Sequence, residues 1–179
     1  MREILILGRG GQGAQTAGQL LAKAFFAEGC YVQSYATYGG ARRGTPVSAV
    51  IRIDEKPIRL RCDISKADAI LCFDASLLDQ RLLDRTGPDS LVVVNTARSV
   101  KDFQHQGNHR IFTIDGMKVS EENGMGRLIN SALLGALSSV LNAPTMEGMS
   151  RTIVAAAPNR KQENLNAFQA GYRLMREAA

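Results

Sequence analysis

Tryptophan is absent from the chain, histidine occurs twice and cysteine three times in 179 residues. These shortages exclude several kinds of chemistry. Cys30, Cys62 and Cys72 are widely separated and each stands in a strand-like setting, so they read as buried or incidental thiols rather than metal or iron–sulfur ligands. His105 and His109 lie in the polar stretch from Lys101 to Arg110, which reads as loop, with no cysteine or carboxylate at ligand spacing. No nucleophile elbow, histidine–carboxylate pair or metal cluster is visible, so the sequence assigns no catalytic and no metal-binding residue. Aromatic residues make up 6% of the chain and no nucleic-acid module is present, which argues against a nucleic-acid partner. The longest apolar runs fall far short of a membrane span, and Met1-Arg2-Glu3 leads straight into a strand with no signal-peptide pattern. The expectation is a cytoplasmic protein that does not contact the membrane.

The composition otherwise suits one well-packed domain covering residues 1–179: 45% of residues are hydrophobic, and no repeat or low-complexity segment interrupts them. The net charge of +5, from 22 basic and 17 acidic residues, suits an anionic ligand or an acidic partner but is ordinary for a domain of this size.

The most informative stretch is at the start. Ile4-Leu5-Ile6-Leu7 runs into Gly8-Arg9-Gly10-Gly11-Gln12-Gly13, and Ala14, Ala17, Gly18, Leu21, Ala24 and Phe25 then mark one apolar helix face. A strand, a tight glycine turn and a helix start are expected. Such a turn directs backbone N–H groups outward at the positive end of a helix dipole, where a phosphate is the usual guest. Two common nucleotide sites do not fit. A dinucleotide fold needs an acidic residue at the end of its second strand, whereas Tyr31 to Ala36 ends in Thr37-Tyr38-Gly39. A P-loop needs Lys followed by Ser or Thr after its last glycine, whereas Gly13 is followed by Ala14-Gln15.

The second strand opens into Tyr38-Gly39-Gly40-Ala41-Arg42-Arg43-Gly44-Thr45-Pro46, a long loop with two adjacent arginines. It leaves the carboxyl end of a strand expected to lie beside the first, where open α/β sheets bind ligands, and arginine's planar fork suits phosphate and carboxylate. Val47 to Ile53 and Ile58 to Cys62, flanking the polar turn Asp54 to Pro57, read as an inserted β-hairpin. Ala69 to Phe73, Leu91 to Val94 and Ile111 to Ile114 read as further strands, with Gly87-Pro88-Asp89 as a turn. Asp74 is expected to cap a helix through Leu83, and Asn95-Thr96 lies on the rim that carries the glycine turn, as cap or ligand contact. Asn130, Leu133, Leu134, Leu137, Val140 and Leu141 mark an amphipathic helix, and Thr145 and Asn159 are caps for two more. The whole is an α/β chain, Rossmann-like and doubly wound, with a mainly parallel sheet and an inserted β-hairpin.

Taken together, the GRGGQG turn, the YGGARRGT loop, the strand from Val47 to Ile53, the ADAILCFD segment, Asn130 to Ala136 and Asn164 to Gly171 resemble the gamma subunit of the 2-oxoacid:ferredoxin oxidoreductases. That family acts on pyruvate, 2-oxoglutarate, branched-chain 2-oxoacids and indolepyruvate. The resemblance covers essentially the whole chain and implies a subunit, inactive alone, of an enzyme that oxidatively decarboxylates a 2-oxoacid to an acyl-CoA and reduces ferredoxin. It implies alpha and beta partner subunits, with a delta subunit in some complexes, and it places thiamine diphosphate and the iron–sulfur clusters in those partners. This chain would contribute to binding coenzyme A and to assembly through Gly8, Arg9, Gly10, Gly11, Gln12, Gly13, Tyr38, Arg42, Arg43, Gly44 and Asn130. One departure stands out: Arg43 occupies a loop position where the family carries glycine. The alternative is a free-standing nucleotide-binding module of NADP type, in which Arg42 or Arg43 meets the 2′-phosphate.

Overall fold

A computed structural model describes residues 1–38, 44–106 and 109–178. The chain opens with strand β1 (Arg2–Arg9), helix α1 (Ala14–Ala27) and strand β2 (Tyr31–Tyr38), and continues through β3 (Pro46–Asp54) and β4 (Ala67–Cys72). A 3-10 turn (Ala75–Leu77) and the short α2 (Gln80–Leu83) lead to β5 (Thr86–Asn95), and a second 3-10 segment (Val100–Gln106) leads to β6 (Arg110–Ile114). Four helices follow: α3 (Gly116–Glu122), α4 (Asn130–Leu141), α5 (Met146–Ala156) and α6 (Lys161–Ala178).

The strands form one sheet in the order β2-β3-β1-β4-β5-β6. Strands β1, β4, β5 and β6 pair in parallel, and β3 runs antiparallel between β2 and β1. Period-two alternation divides the buried residues between two cores. Ile4 and Ile6 of β1, Ala49 and Ile51 of β3, and Leu71 of β4 face a core shared with α1, α4, α5 and α6. Leu5, Val50, Ile70, Cys72, Val92 and Val94 face the other core, with Leu78, Leu82, Leu83 and Phe103. Burial on both faces explains why the central strands read as continuous apolar runs.

The hairpin is present, but its strands differ from those expected. Its arms are β2 and β3, whereas Ile58 to Cys62 forms no strand. That segment is irregular and largely exposed, and it is tied to the sheet by Arg52. The Arg52 guanidinium is 1% exposed and donates to Glu3 Oε1 at 2.7 Å, Gln33 Oε1 at 2.8 Å and the Cys62 carbonyl at 2.6 Å. The apolar alternation of Ile58 and Leu60 was misleading because a buried arginine, rather than a strand ladder, holds these residues in place.

Several local features also differ from the pattern. Asp74 caps only the 3-10 turn, and Asp79 caps α2. Gly87-Pro88-Asp89 is an irregularity within β5, where the register with β4 shifts between Ala67 and Ala69. The stretch after Ser99 holds a 3-10 segment instead of a loop, and α3, capped by Asp115, was not apparent from the sequence. Thr145 caps α5 as expected, accepting from Gly148 N at 3.0 Å. At α6 the residue before the helix is Arg160, at φ 47, so Asn159 lies one residue short of the expected cap position.

Helix α4 is buried on nearly every side because it lies between the sheet and α6. The crossing is close enough that backbone meets backbone. A Cβ on Gly135 would run into the Phe168 carbonyl and lie 2.8 Å from Tyr172 N, and one on Gly171 would meet the Ala132 carbonyl. The segments Asn130 to Ala136 and Asn164 to Gly171 are therefore the two sides of one helix contact. This places Asn130 at the start of α4, beneath the glycine turn.

Candidate functional site

The turn from Gly8 to Gly13 leaves β1 at the sheet's topological switch point. Helix α1 returns along one face, and the segment after the adjacent β4 crosses the other. Crevices of this kind, outside the carboxyl ends of strands, are where open α/β sheets hold ligands. Gly13, at φ 89, is the N-cap residue of α1, and no side chain caps the helix. That φ disfavours any side chain, and a Cβ there would also displace the Asn130 amide, lying 2.5 Å from Nδ2. Asn130 instead donates to the Gly13 carbonyl at 3.2 Å and supports the turn from below. A cleft of about 340 Å³ opens over the first turn of α1, lined by Arg9, Gly10, Gly11, Gly13, Ala14, Gln15, Thr16 and Val47. Backbone N–H groups and the helix dipole make such a cleft suited to an anion.

The turn is braced on its other side by a polar network. Arg9 Nε donates to Asp74 Oδ2 at 2.9 Å, Nη2 to Ser76 Oγ at 2.8 Å and Nη1 to the Gly44 carbonyl at 3.3 Å. Gln12 closes the turn by accepting from Arg9 N at 2.7 Å and donating to Asp74 Oδ2 at 3.4 Å. Asp74 Oδ1 accepts from the Ser76 hydroxyl and backbone N–H. Those Ser76 bonds, with further donors from Arg9 and Gln12, hold the Asp74 carboxyl below its ordinary value against the opposing effect of burial. Asp74 is the residue that the sequence reading undervalued. The available signal was a carboxylate placed just past the carboxyl end of a buried strand.

The second expected segment reaches the turn from a different direction. Strand β3 intervenes between β1 and β2, so the turn and the loop do not leave adjacent strands. Contact is made by the loop's descending end: Gly10 N donates to the Thr45 carbonyl at 2.9 Å and Gly44 N to the Gly10 carbonyl at 3.3 Å. These bonds extend the β1–β3 ladder beyond Arg9–Pro46. Tyr38 ends β2, its backbone paired with Val47. Arg42 and Arg43 lie outside the described residues.

Asn95 serves the fold, donating to the Phe73 carbonyl at 2.9 Å and accepting from Gly116 N at 2.9 Å. Thr96 accepts from Arg98 N at 3.1 Å. Cys72 is buried at the end of β4, and desolvation pushes its thiol up to about 12. Among the described residues no group of three or more histidine, cysteine or acidic side chains is arranged to hold a metal ion, so the donor set does not fit an iron–sulfur cluster. No helix among them is long and apolar enough to cross a membrane.

The fold and cleft define an α/β domain with a glycine turn and a helix start without a side-chain cap at its switch point, a geometry suited to an anion. A family model described as pyruvate ferredoxin/flavodoxin oxidoreductase matches residues 3–174. The chain belongs to that family. Among its relatives, pyruvate synthase subunit PorC of Methanocaldococcus jannaschii is 35% identical over 177 residues, 98% of this chain and 97% of that protein. The pyruvate/ketoisovalerate oxidoreductases common subunit gamma of Pyrococcus abyssi is 37% identical over 159 residues, 86% of this chain and 85% of that one. The crystal structure of pyruvate oxidoreductase subunit PORC from Thermotoga maritima superposes with a TM-score of 0.85 at 27% identity, covering 96% of this chain and 95% of that chain. The 2-oxoglutarate:ferredoxin oxidoreductase of Magnetococcus marinus, whose structure holds 2-oxoglutarate, coenzyme A and succinyl-CoA, shares the fold at TM-score 0.80 and 20% identity. This chain covers 31% of that larger one.

Proposed function

We propose that this gamma-type subunit supplies the phosphate-binding surface for coenzyme A in a cytoplasmic 2-oxoacid:ferredoxin oxidoreductase of pyruvate synthase type. The supporting observation is the uncapped start of α1, with its cleft of about 340 Å³, joined through Gly10 to the loop end at Thr45. Arg9, Gly10 and Gln12 already donate their N–H groups within the chain, so the anion is met by the first turn of α1 and its dipole. Arg9 is engaged by Asp74, so the arginine charge for a phosphate falls to Arg42 and Arg43. Arg43 adds a second positive charge to that segment.

In this reading the subunit carries no reacting group. Thiamine diphosphate and the iron–sulfur clusters, held by alpha and beta partners, with a delta chain where the complex has one, supply decarboxylation and electron transfer to ferredoxin. The acyl group passes to the coenzyme A thiol. This chain holds the nucleotide end and contributes to assembly, while the choice among 2-oxoacids rests with the partners. Co-expression with the partner chains tests the reading against a free-standing NADP-type module. The expected result is a stable hetero-oligomer, with no turnover of a 2-oxoacid and no micromolar NADP binding by this chain alone. A chain that stays unassociated and binds NADP would overturn it.

A further inference from the structure

A second cavity, of about 210 Å³, lies against the same helix start. Its walls are mostly apolar, with Leu20, Met125, Ile153, Ala156 and Pro158 among them, and Asn130, Asn159 and Asn164 also line it. Thr16 lines both this cavity and the glycine cleft, and Asn130 lines this cavity while holding the Gly13 carbonyl. The spacing along α1 is informative. Thr16 is about 5 Å and Leu20 about 10 Å along the helix from Gly13, at 1.5 Å per residue. The first of these offsets is comparable to the span of a ribose between a phosphate and its base, and the second lies at the depth of the base itself.

We infer that the two cavities form one bipartite site, in which the apolar cavity receives the purine base of a ligand whose phosphates occupy the glycine cleft. A purine is flat and apolar on its faces and polar at its edge, which suits a lining of aliphatic side chains with a few asparagines. Among the described residues the Thr16 hydroxyl makes no hydrogen bond within the chain, which leaves it available at the junction for a ribose hydroxyl. Asn164 is already engaged by Ser131 and the Arg160 carbonyl, so the exposed Asn159 amide is the group that reads the base edge. The inference rests on the phosphate reading of the cleft given above, and it adds where the base goes.

The test uses the assembled complex with two probes, adenosine 5′-diphosphate and inorganic diphosphate. Ala156 ends α5 and is exposed, so Ala156→Phe fills the cavity without burdening the core. The expected result is that adenosine diphosphate binds at least tenfold more tightly than diphosphate, and that Ala156→Phe abolishes this advantage while diphosphate binding is unchanged. Asn159→Ala, also at an exposed position, should lower the adenosine diphosphate affinity severalfold with the same selectivity. Equal affinities for the two probes, an unchanged adenosine diphosphate affinity in Ala156→Phe, or equal losses on both probes would overturn the inference. So would a loss of subunit association with both affinities unchanged, because a partner side chain would then fill the cavity. Gly10→Val separates this from the cleft reading: if it leaves both probes unchanged, the phosphate assignment fails, whatever Ala156→Phe reports about the base.

Discussion

Asp74→Asn isolates the charge that braces the glycine turn. The substitution keeps an acceptor for the Ser76 hydroxyl and N–H, and asparagine caps a helical turn as well as aspartate. What it removes is the acceptor for Arg9 Nε, because the amide nitrogen that takes that place only donates. A hydrogen bond between charged groups contributes about 1.5 to 3 kcal/mol. Arg9 is 37% and Asp74 25% exposed, so solvent screening reduces the expected loss to about 1 kcal/mol. For a chain of this size that is a fall in Tm of about 2 to 4 °C. The pH dependence gives the sharper signature. The folded state lowers the Asp74 carboxyl, so its stabilisation is complete above the ordinary aspartate range and is lost as pH falls through the depressed value. Urea unfolding of wild type and variant should show the full gap at pH 7 and a smaller one near pH 3. A variant as stable as wild type at pH 7, or a gap that does not narrow in acid, would refute this account of the network.

Gly135→Ala should destabilise the chain by about 3 kcal/mol in urea titration, because the new methyl meets the Phe168 carbonyl across the α4–α6 crossing. Arg52→Ala should cost about 3 kcal/mol by removing the buried guanidinium and its bonds to Glu3, Gln33 and the Cys62 carbonyl, and should make the chain near Cys62 easier for a protease to cut. The exposed Cys62 should react readily with a thiol reagent in the native state, while Cys72, buried and pushed up to about 12, should react only on unfolding.

The parts of the structure that were legible in the sequence are those fixed by local patterns. The strand, glycine turn and helix at the start appear where Ile4 to Phe25 places them, and the expected α1 face is buried, with Ala22 added. The hairpin was legible as a motif but not in its partners, because β2 pairs with β3 across the span from Tyr38 to Pro46, and the short turn after Asp54 leads into irregular chain. Pairing is decided by which strands are near in space, and the period-two pattern of Ile58 and Leu60 carries no such information. Asn130 was readable as a polar residue on an apolar helix, but its contact with Gly13, 117 residues away in sequence, was not. Asp74 is legible as a cap, although it caps a 3-10 turn and Asp79 caps the helix through Leu83. Its second role, holding Arg9, depends on the parallel register that sets β4 beside β1.

The central claim is that the glycine turn and the arginine loop hold coenzyme A. Its most direct test is the apparent affinity of the reconstituted complex for coenzyme A in Gly10→Val and Arg42→Ala, measured alongside subunit association. The claim predicts that complexes assemble but bind coenzyme A more weakly. Arg42→Ala should lose a charge-assisted bond of about 1.5 to 3 kcal/mol, about tenfold or more in affinity. Coenzyme A affinity and assembly both unchanged in the two variants would contradict it.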